Sequence, residues 1–161
     1  MEHRIIIREM NEQDVTTVAK FWNALAIDQL SQDKYYKSDL LSIGKIDQSQ
    51  YYKKCLNSSR CKVFVVCIDG EICGFSEIWI YEKDFYFDIE NYGYILHFFI
   101  EKEARSYAAA SKLFDKSEEW VRKQGIKFLG ADVFGFNVKV QKLLQHKKMD
   151  IYKMRFMKPL Q

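Results

Sequence analysis

The dipeptide Asp69-Gly70, set between two apolar runs, constrains this chain more than any other feature. Lys62 to Ile68 and Glu71 to Tyr81 each read as a strand, and Asp-Gly is a pair that accepts the positive φ of a tight two-residue turn. The two runs therefore fold back on each other as an antiparallel hairpin. That register sets Cys67 opposite Ile72, so Cys73 is not its direct partner, although Cys55, Cys61, Cys67 and Cys73 recur every six residues. The recurrence lacks the CxxC spacing of a zinc site, and four reduced structural thiols are expected.

Other elements follow on either side. Arg4 to Glu9 reads as a strand, and Asn11 can cap a helix that carries Val15, Val18, Ala19, Trp22, Leu25 and Ala26 on one face. A second helix is expected from about Asp47 to about Leu56. The segment from Glu82 to Asn91 is acidic and aromatic and reads as a strand end plus a loop, followed by a strand from Tyr92 to Glu101. Arg105 to Gln124 has helical periodicity, with Leu113, Phe114, Trp120 and Val121 inward and Gly125 placed as a C-terminal stop. A strand from Ile126 to Phe134, a helix from Asn137 to His146 and a last strand from Ile151 to Met157 complete the order βα(α)βββαβαβ. No linker or repeat interrupts it, so residues 1–161 are read as one mixed α/β (α+β) domain.

Composition narrows the function. At 161 residues and 48% hydrophobic, the chain can bury a sizeable core. A net charge of +3 is too small to mark a nucleic-acid reader. The basic residues thicken towards the end, in Lys139, Lys142, Lys147, Lys148, Lys153, Arg155 and Lys158. Such a spread is usually a solvated face; it can also attract a phosphorylated ligand. The N-terminus lacks a long apolar signal region, and no run of about 18 apolar residues occurs, so no membrane partner and a cytoplasmic location are expected.

The informative junction is GYILHFFIEKEARSYAAASKLF, where an apolar strand ends and a helix begins on three alanines. Small residues at a helix N-terminus let a phosphate approach free backbone N–H groups, and the helix dipole favours the negative charge. Packing of the same alanines against a sheet is the alternative use.

Taken with the order of elements, this junction resembles the GNAT acetyltransferases over nearly the whole chain. Their pyrophosphate motif, Arg/Gln-x-x-Gly-x-Gly/Ala, begins five residues after a β-branched position that closes the fourth strand. Ile100 and Arg105-Ser106-Tyr107-Ala108-Ala109-Ala110 stand in those places, and Asn137 matches the asparagine that opens the family's next helix. Ala108 replaces the usual first glycine, and Leu144 stands where the family often has an acid tyrosine, seven residues after the asparagine. The resemblance implies the acyl-CoA N-acyltransferase fold, a mixed and mostly antiparallel central sheet flanked by helices. It also implies acetyl-CoA held by Phe98, Phe99, Ile100, Arg105 to Ser111 and Asn137. A backbone N–H near Phe98 to Ile100 would polarise the thioester carbonyl.

The acid and base are less well marked. Period-two alternation puts Tyr94, Leu96, Phe98 and Ile100 on one strand face and Ile95, His97 and Phe99 on the other. Family members with a base on this strand tend to place it four or six residues before the closing position, which here means Leu96 or Tyr94. Tyr94 is therefore the catalytic candidate, holding a water or donating a proton, with a structural tyrosine as the alternative. His97 has the right intrinsic pKa for proton transfer but reads as a packed or surface residue, unless a bulge changes its face. Glu77, isolated in mid-strand, is expected to face solvent. Asp84, Tyr86, Asp88 and Glu90 precede the cofactor strand and would suit a cationic amine, the alternative being a solvated loop.

The expected activity is acetyl transfer from acetyl-CoA to a primary amine of a small molecule or peptide, by direct attack on the thioester. The alternative is a catalytically degenerate domain that binds acyl-CoA or a protein partner. Ala108 and Leu144 favour that alternative, and oligomeric state, including a homodimer, stays open.

Overall fold

The computed structural model describes residues 4–33, 35, 45–82 and 90–160. Five strands form one sheet in the order β1-β2-β3-β4-β5, with β1 Ile5–Glu9, β2 Cys61–Ile68, β3 Glu71–Glu82, β4 Asn91–Ile100 and β5 Leu129–Ala131. The first four are antiparallel neighbours, and β5 alone runs parallel to β4. Among the described residues the helices are α1 Val15–Leu30, α2 Ser49–Leu56, α3 Tyr107–Lys123 and α4 Val138–His146, with short 3-10 turns at Glu12–Asp14 and Lys102–Ala104.

The hairpin forms as its dipeptide dictates. Asp69 and Gly70 have φ of 52° and 96°, both positive as in a type I′ turn, and Cys67 pairs with Ile72. Asp69 also accepts a hydrogen bond from the Arg4 N–H at 2.9 Å, which ties the start of β1 to the turn. Asn11 caps the first 3-10 turn in a reciprocal arrangement with Asp14, whose carboxylate accepts from both Arg8 and the Asn11 N–H. The helix α3 ends on Gln124, after which Gly125 takes a φ of 74°.

Apolar residues divide into two cores, one on each face of the sheet. Under α1 and α2 lie Val18, Phe21, Tyr52, Val63, Val65, Phe75 and Phe99. Under α3 lie Phe64, Val66, Ile78, Ile95, Ile100, Ala109, Leu113, Phe114 and Val121. A side chain at Gly93 would meet the Val121 methyl groups at 2.6 and 2.7 Å, so glycine there lets α3 sit close on β4. All four cysteines are buried and reduced, as expected.

Four expectations change. Residues 151–160 form no strand and are exposed throughout, with Phe156 at 86%. An alternating pattern becomes a strand only where an edge supplies backbone partners; β5 is three residues long, and the Met157 carbonyl instead accepts the Tyr35 hydroxyl at 2.8 Å. The strand expected from Ile126 to Phe134 shortens to Leu129–Ala131. Arg105 and Ser106 lie before α3 rather than in it, because Ser106 is extended and caps the helix. Strict alternation also fails in β4: Glu77 pairs with His97 and Ile78 with Ile95, so Leu96 is an extra, unpaired residue. This bulge moves Ile95 into the core with Ile100 and sets Tyr94 beside Trp79, on the face of Glu77, His97 and Phe99.

Candidate functional site

The sheet opens between β4 and β5. Parallel pairing joins only Gly93–Ile95 to Leu129–Ala131, although β4 continues to Ile100. The bulge at Leu96 bends β4 at the point where pairing stops. The Glu101 N–H bonds the Cys73 carbonyl on β3 at 2.8 Å, so alternation turns the Phe98 and Ile100 N–H groups towards the open side. A cleft results, lined by Leu96, Phe98, Phe114, Ala131, Val133, Asn137, Leu143 and Leu144. Its lining mixes these apolar side chains with the polar Gln29, Asp132 and Asn137, and among the described residues no strand pairs with β4 beyond Ile95 on this side.

The N-terminus of α3 follows the end of β4 past the 3-10 turn at Lys102–Ala104, and Phe114 of the same helix lines the cleft. The Ser106 hydroxyl accepts from Ala109 N–H at 3.1 Å, and the Ser106 carbonyl takes Ala110 N–H at 3.1 Å. In an α-helix the first N–H groups, here those of Tyr107 and Ala108, have no intrahelical acceptor. Ala109 is buried against the sheet, whereas Ala108 is exposed, so the two readings of the alanines apply to different residues. Lys147 donates to Ser111 Oγ at 2.6 Å and pairs with Asp115 on α3, which neutralises its charge beside the second turn. The Arg105 side chain is turned elsewhere: Nε bonds the Ile100 carbonyl at 2.8 Å, the guanidinium reaches Asp28 at 3.1 Å, and the group lies over the Phe99 ring. It braces the end of β4 against α1. Asn137 caps α4, its side chain accepting from Val140 N–H at 3.4 Å.

A polar cluster lies on the sheet face beneath α1 and α2. Glu77, expected in solvent, is wholly buried. Its carboxylate accepts from Tyr51 and Tyr52 on α2, from Trp79 Nε1 at 2.6 Å and from His97 Nδ1 at 2.8 Å. Burial pushes the carboxyl pKa up, but the hydrogen bond from His97, its charge whenever the imidazole is protonated, and the Tyr51 and Trp79 bonds bring it below its ordinary value. Glu77 thus stays ionised. Both tyrosine hydroxyls are held protonated, chiefly by burial and then by Glu77. Cys55, Cys61 and Glu77 come within 4.8 Å of one another. The carboxylate is already saturated by donors, so this trio is a packed polar core and a poor metal site.

Tyr94 lies on this same face, its ring beside Tyr81 at 5.6 Å and Tyr92 at 6.4 Å. Burial and then a hydrogen bond to Asp132 raise its pKa well above normal. It stays protonated at neutral pH, its hydroxyl directed to Asp132, and is no base in that form. Glu90 is exposed next to the start of β4, while Asp84, Tyr86 and Asp88 lie outside the described residues.

The profile of the acetyltransferase (GNAT) family matches residues 25–149, most of the chain. The chain belongs to the GNAT acetyltransferase family. No curated protein matches it. Solved structures resemble it over their full length. A mutant form of the BH1408 protein from Bacillus halodurans aligns with a TM-score of 0.82 at 16% identity, covering 97% of this chain and 99% of that one. The aminoglycoside N-acetyltransferase AAC(6')-Iy in complex with CoA gives 0.71 at 17%, covering 99% and 97%. The aminoglycoside acetyltransferase meta-AAC0020 from an uncultured soil metagenomic sample, in complex with sisomicin, gives 0.67 at 14%, covering 98% and 97%. At these identities the likeness establishes the fold.

Leu144, an apolar residue, lines the cleft. Tyr51, Tyr52, Trp79 and Asp132 are polar neighbours that sequence reasoning did not single out. One signal was available. Phe75 and Trp79 flank Glu77 at two residues' distance, so alternation places the carboxylate on an aromatic, core-facing side. Among the described residues, no helix is long and apolar enough to cross a membrane.

Proposed function

We propose that this GNAT domain is an acetyl-CoA-dependent N-acyltransferase that acts on a primary amine by direct attack on the thioester. The observation that carries the reading is the opened β4–β5 edge together with the capped N-terminus of α3. The pantetheine arm of acetyl-CoA would lie against β4, its carbonyl facing the Phe98 and Ile100 N–H groups, with Phe99 bracing the opposite face. Oxyanion donors so placed stabilise the charge that develops when the amine attacks. The pyrophosphate would sit at the first turn of α3, on the N–H groups of Tyr107 and Ala108, with Ala109, Ala110 and Ser111 forming the wall and Arg105 fixing the turn. Asn137 would close the cleft from α4. Tyr94 would return a proton to the departing thiolate, in place of the tyrosine that Leu144 replaces.

The acceptor would be a cationic amine, drawn by Asp84, Asp88 and Glu90 and by the ring of Tyr86. Two of the structural neighbours are named as aminoglycoside acetyltransferases, which suits a polyamine acceptor. Leu144 favours a second reading, a domain that binds acyl-CoA without transfer. One pair of measurements separates them. Acetyl-CoA should raise the thermal midpoint, since a ligand of the folded state stabilises by mass action. Thiol release across a panel of polyamines should then accompany transfer. A midpoint shift without thiol release supports the binding domain, and no shift at millimolar acetyl-CoA removes both readings.

A further inference from the structure

We propose that His97 is the base that deprotonates the incoming amine, with Glu77 as the buried positioning residue that fixes its tautomer. This rests on the acyltransferase reading and adds to it the residue that makes the amine nucleophilic. The pair is a direct cross-strand partnership, Glu77 on β3 against His97 on β4, with Nδ1 at 2.8 Å from the carboxylate. A neutral imidazole bonded in this way donates its Nδ1 proton, which leaves the Nε2 lone pair as the acceptor. The His97 side chain is 24% exposed, whereas that of Glu77 is not exposed at all, so the imidazole is the member of the pair that an amine can reach.

The surroundings hold that arrangement. Trp22 of α1 meets the His97 ring edge-on at 6.3 Å and limits its rotation. Tyr51 and Tyr52 of α2 and Trp79 of β3 fill the remaining acceptor sites of Glu77. The titratable groups in this cluster are Tyr51, Tyr52 and Cys55 from α2, Cys61 from β2 and Glu77 from β3; Glu77 is the charged one among them. A neutral apolar residue would fill this core without needing four polar partners. The cluster has the form of an orienting carboxylate behind a histidine.

His97 also sits next to the oxyanion donor. It precedes Phe98, whose N–H faces the open edge, and its other neighbour Leu96 lines the cleft together with Gln29 of α1. The ammonium gives one proton to His97 Nε2, and the neutral nitrogen then attacks the carbonyl carbon. As the tetrahedral adduct collapses, the C–S bond breaks; the nitrogen's second proton replaces the one that Tyr94 delivers to sulfur. The proton on His97 leaves to solvent.

The test uses the full chain with an amine that the wild-type protein acetylates. His97→Gln keeps a donor for Glu77 but removes the base, so kcat/KM should fall about a hundredfold or more. Its acidic pH limb should disappear, while the acetyl-CoA midpoint shift is retained. His97→Ala should regain rate with added imidazole, a response that a packing role would not give. Tyr51→Phe, which leaves the base intact, should move the acidic limb with a smaller loss of rate. If His97→Gln keeps its rate within threefold and the wild-type pH limb, the proposal is overturned. A wild-type protein that releases no thiol with any amine overturns the transferase reading, and this proposal with it; the two failures appear in different proteins.

Discussion

Glu77 and His97 face each other across β3 and β4, and one residue of slippage beside them places Tyr94 on the same face. The bulge is the device that brings a buried carboxylate, an imidazole and a phenol to one side of the sheet. Pairing with β5 stops beside it, at Ile95, where the cleft opens. One irregularity therefore borders both halves of the site, and the predictions below separate its parts.

Glu77→Leu should destabilise the fold by about 3–5 kcal/mol, because four donors lose their acceptor at once. Glu77→Gln, which keeps one acceptor oxygen, should cost about 1–3 kcal/mol. Urea unfolding at pH 7 measures both.

Acid should weaken the fold from the carboxylate range downwards. The Glu77 pKa lies below its ordinary 4.5, and Asp14, beside Arg8 and against the pull of burial, lies below its ordinary 3.8. A depressed folded-state pKa means the unfolded chain binds the proton first, so stability is full above the ordinary value and is lost as pH falls through the folded one. Urea midpoints should fall below about pH 4.5, and Glu77→Gln should flatten part of that slope.

Ala108→Asp should separate cofactor binding from folding. The residue is exposed in the first turn of α3, where a carboxylate favours the helix dipole by about 0.3–1 kcal/mol. The same charge would repel a pyrophosphate. The variant should melt slightly higher than wild type and show no acetyl-CoA shift; an unchanged shift would place the pyrophosphate elsewhere.

Tyr94→Phe keeps the ring contacts with Tyr81 and Tyr92 but removes the hydroxyl bonded to Asp132. Turnover should fall about tenfold or more, within the range of a lost acid, with the melting midpoint little changed. Steady-state kinetics decide this, and an unaltered kcat removes Tyr94 from the chemistry.

Gly93→Ala and Gly74→Ala should differ in whether a second change rescues them. The new methyl at Gly93 meets Val121 side-chain atoms at 2.6 Å, whereas at Gly74 it meets the Phe99 carbonyl oxygen at 2.3 Å. Overpacking of this kind costs about 1–3 kcal/mol. Adding Val121→Ala should recover part of the loss at Gly93, as read by urea unfolding, and a side-chain truncation has no counterpart at Gly74, where the obstacle is backbone.

The sequence alone determined what local chemistry controls. Asp69-Gly70 set the turn and the Cys67–Ile72 register, Asn11 and Asn137 marked helix starts, Gly125 marked a helix stop, and the Ile100 to Ala110 spacing marked the junction. Each depends on backbone preferences within a few residues. The tertiary structure decided the rest. Glu77 is buried because donors from α2 and β4, 20 to 26 residues away, converge on it. Tyr94 and Ile95 exchange faces because β3 and β4 pair with an extra residue, which no single strand's alternation encodes. Residues 151–157 carry a strand's pattern without a strand, because pairing requires an edge long enough to meet them. Local propensity fixed the elements; charge burial, register and edge pairing are properties of elements in contact.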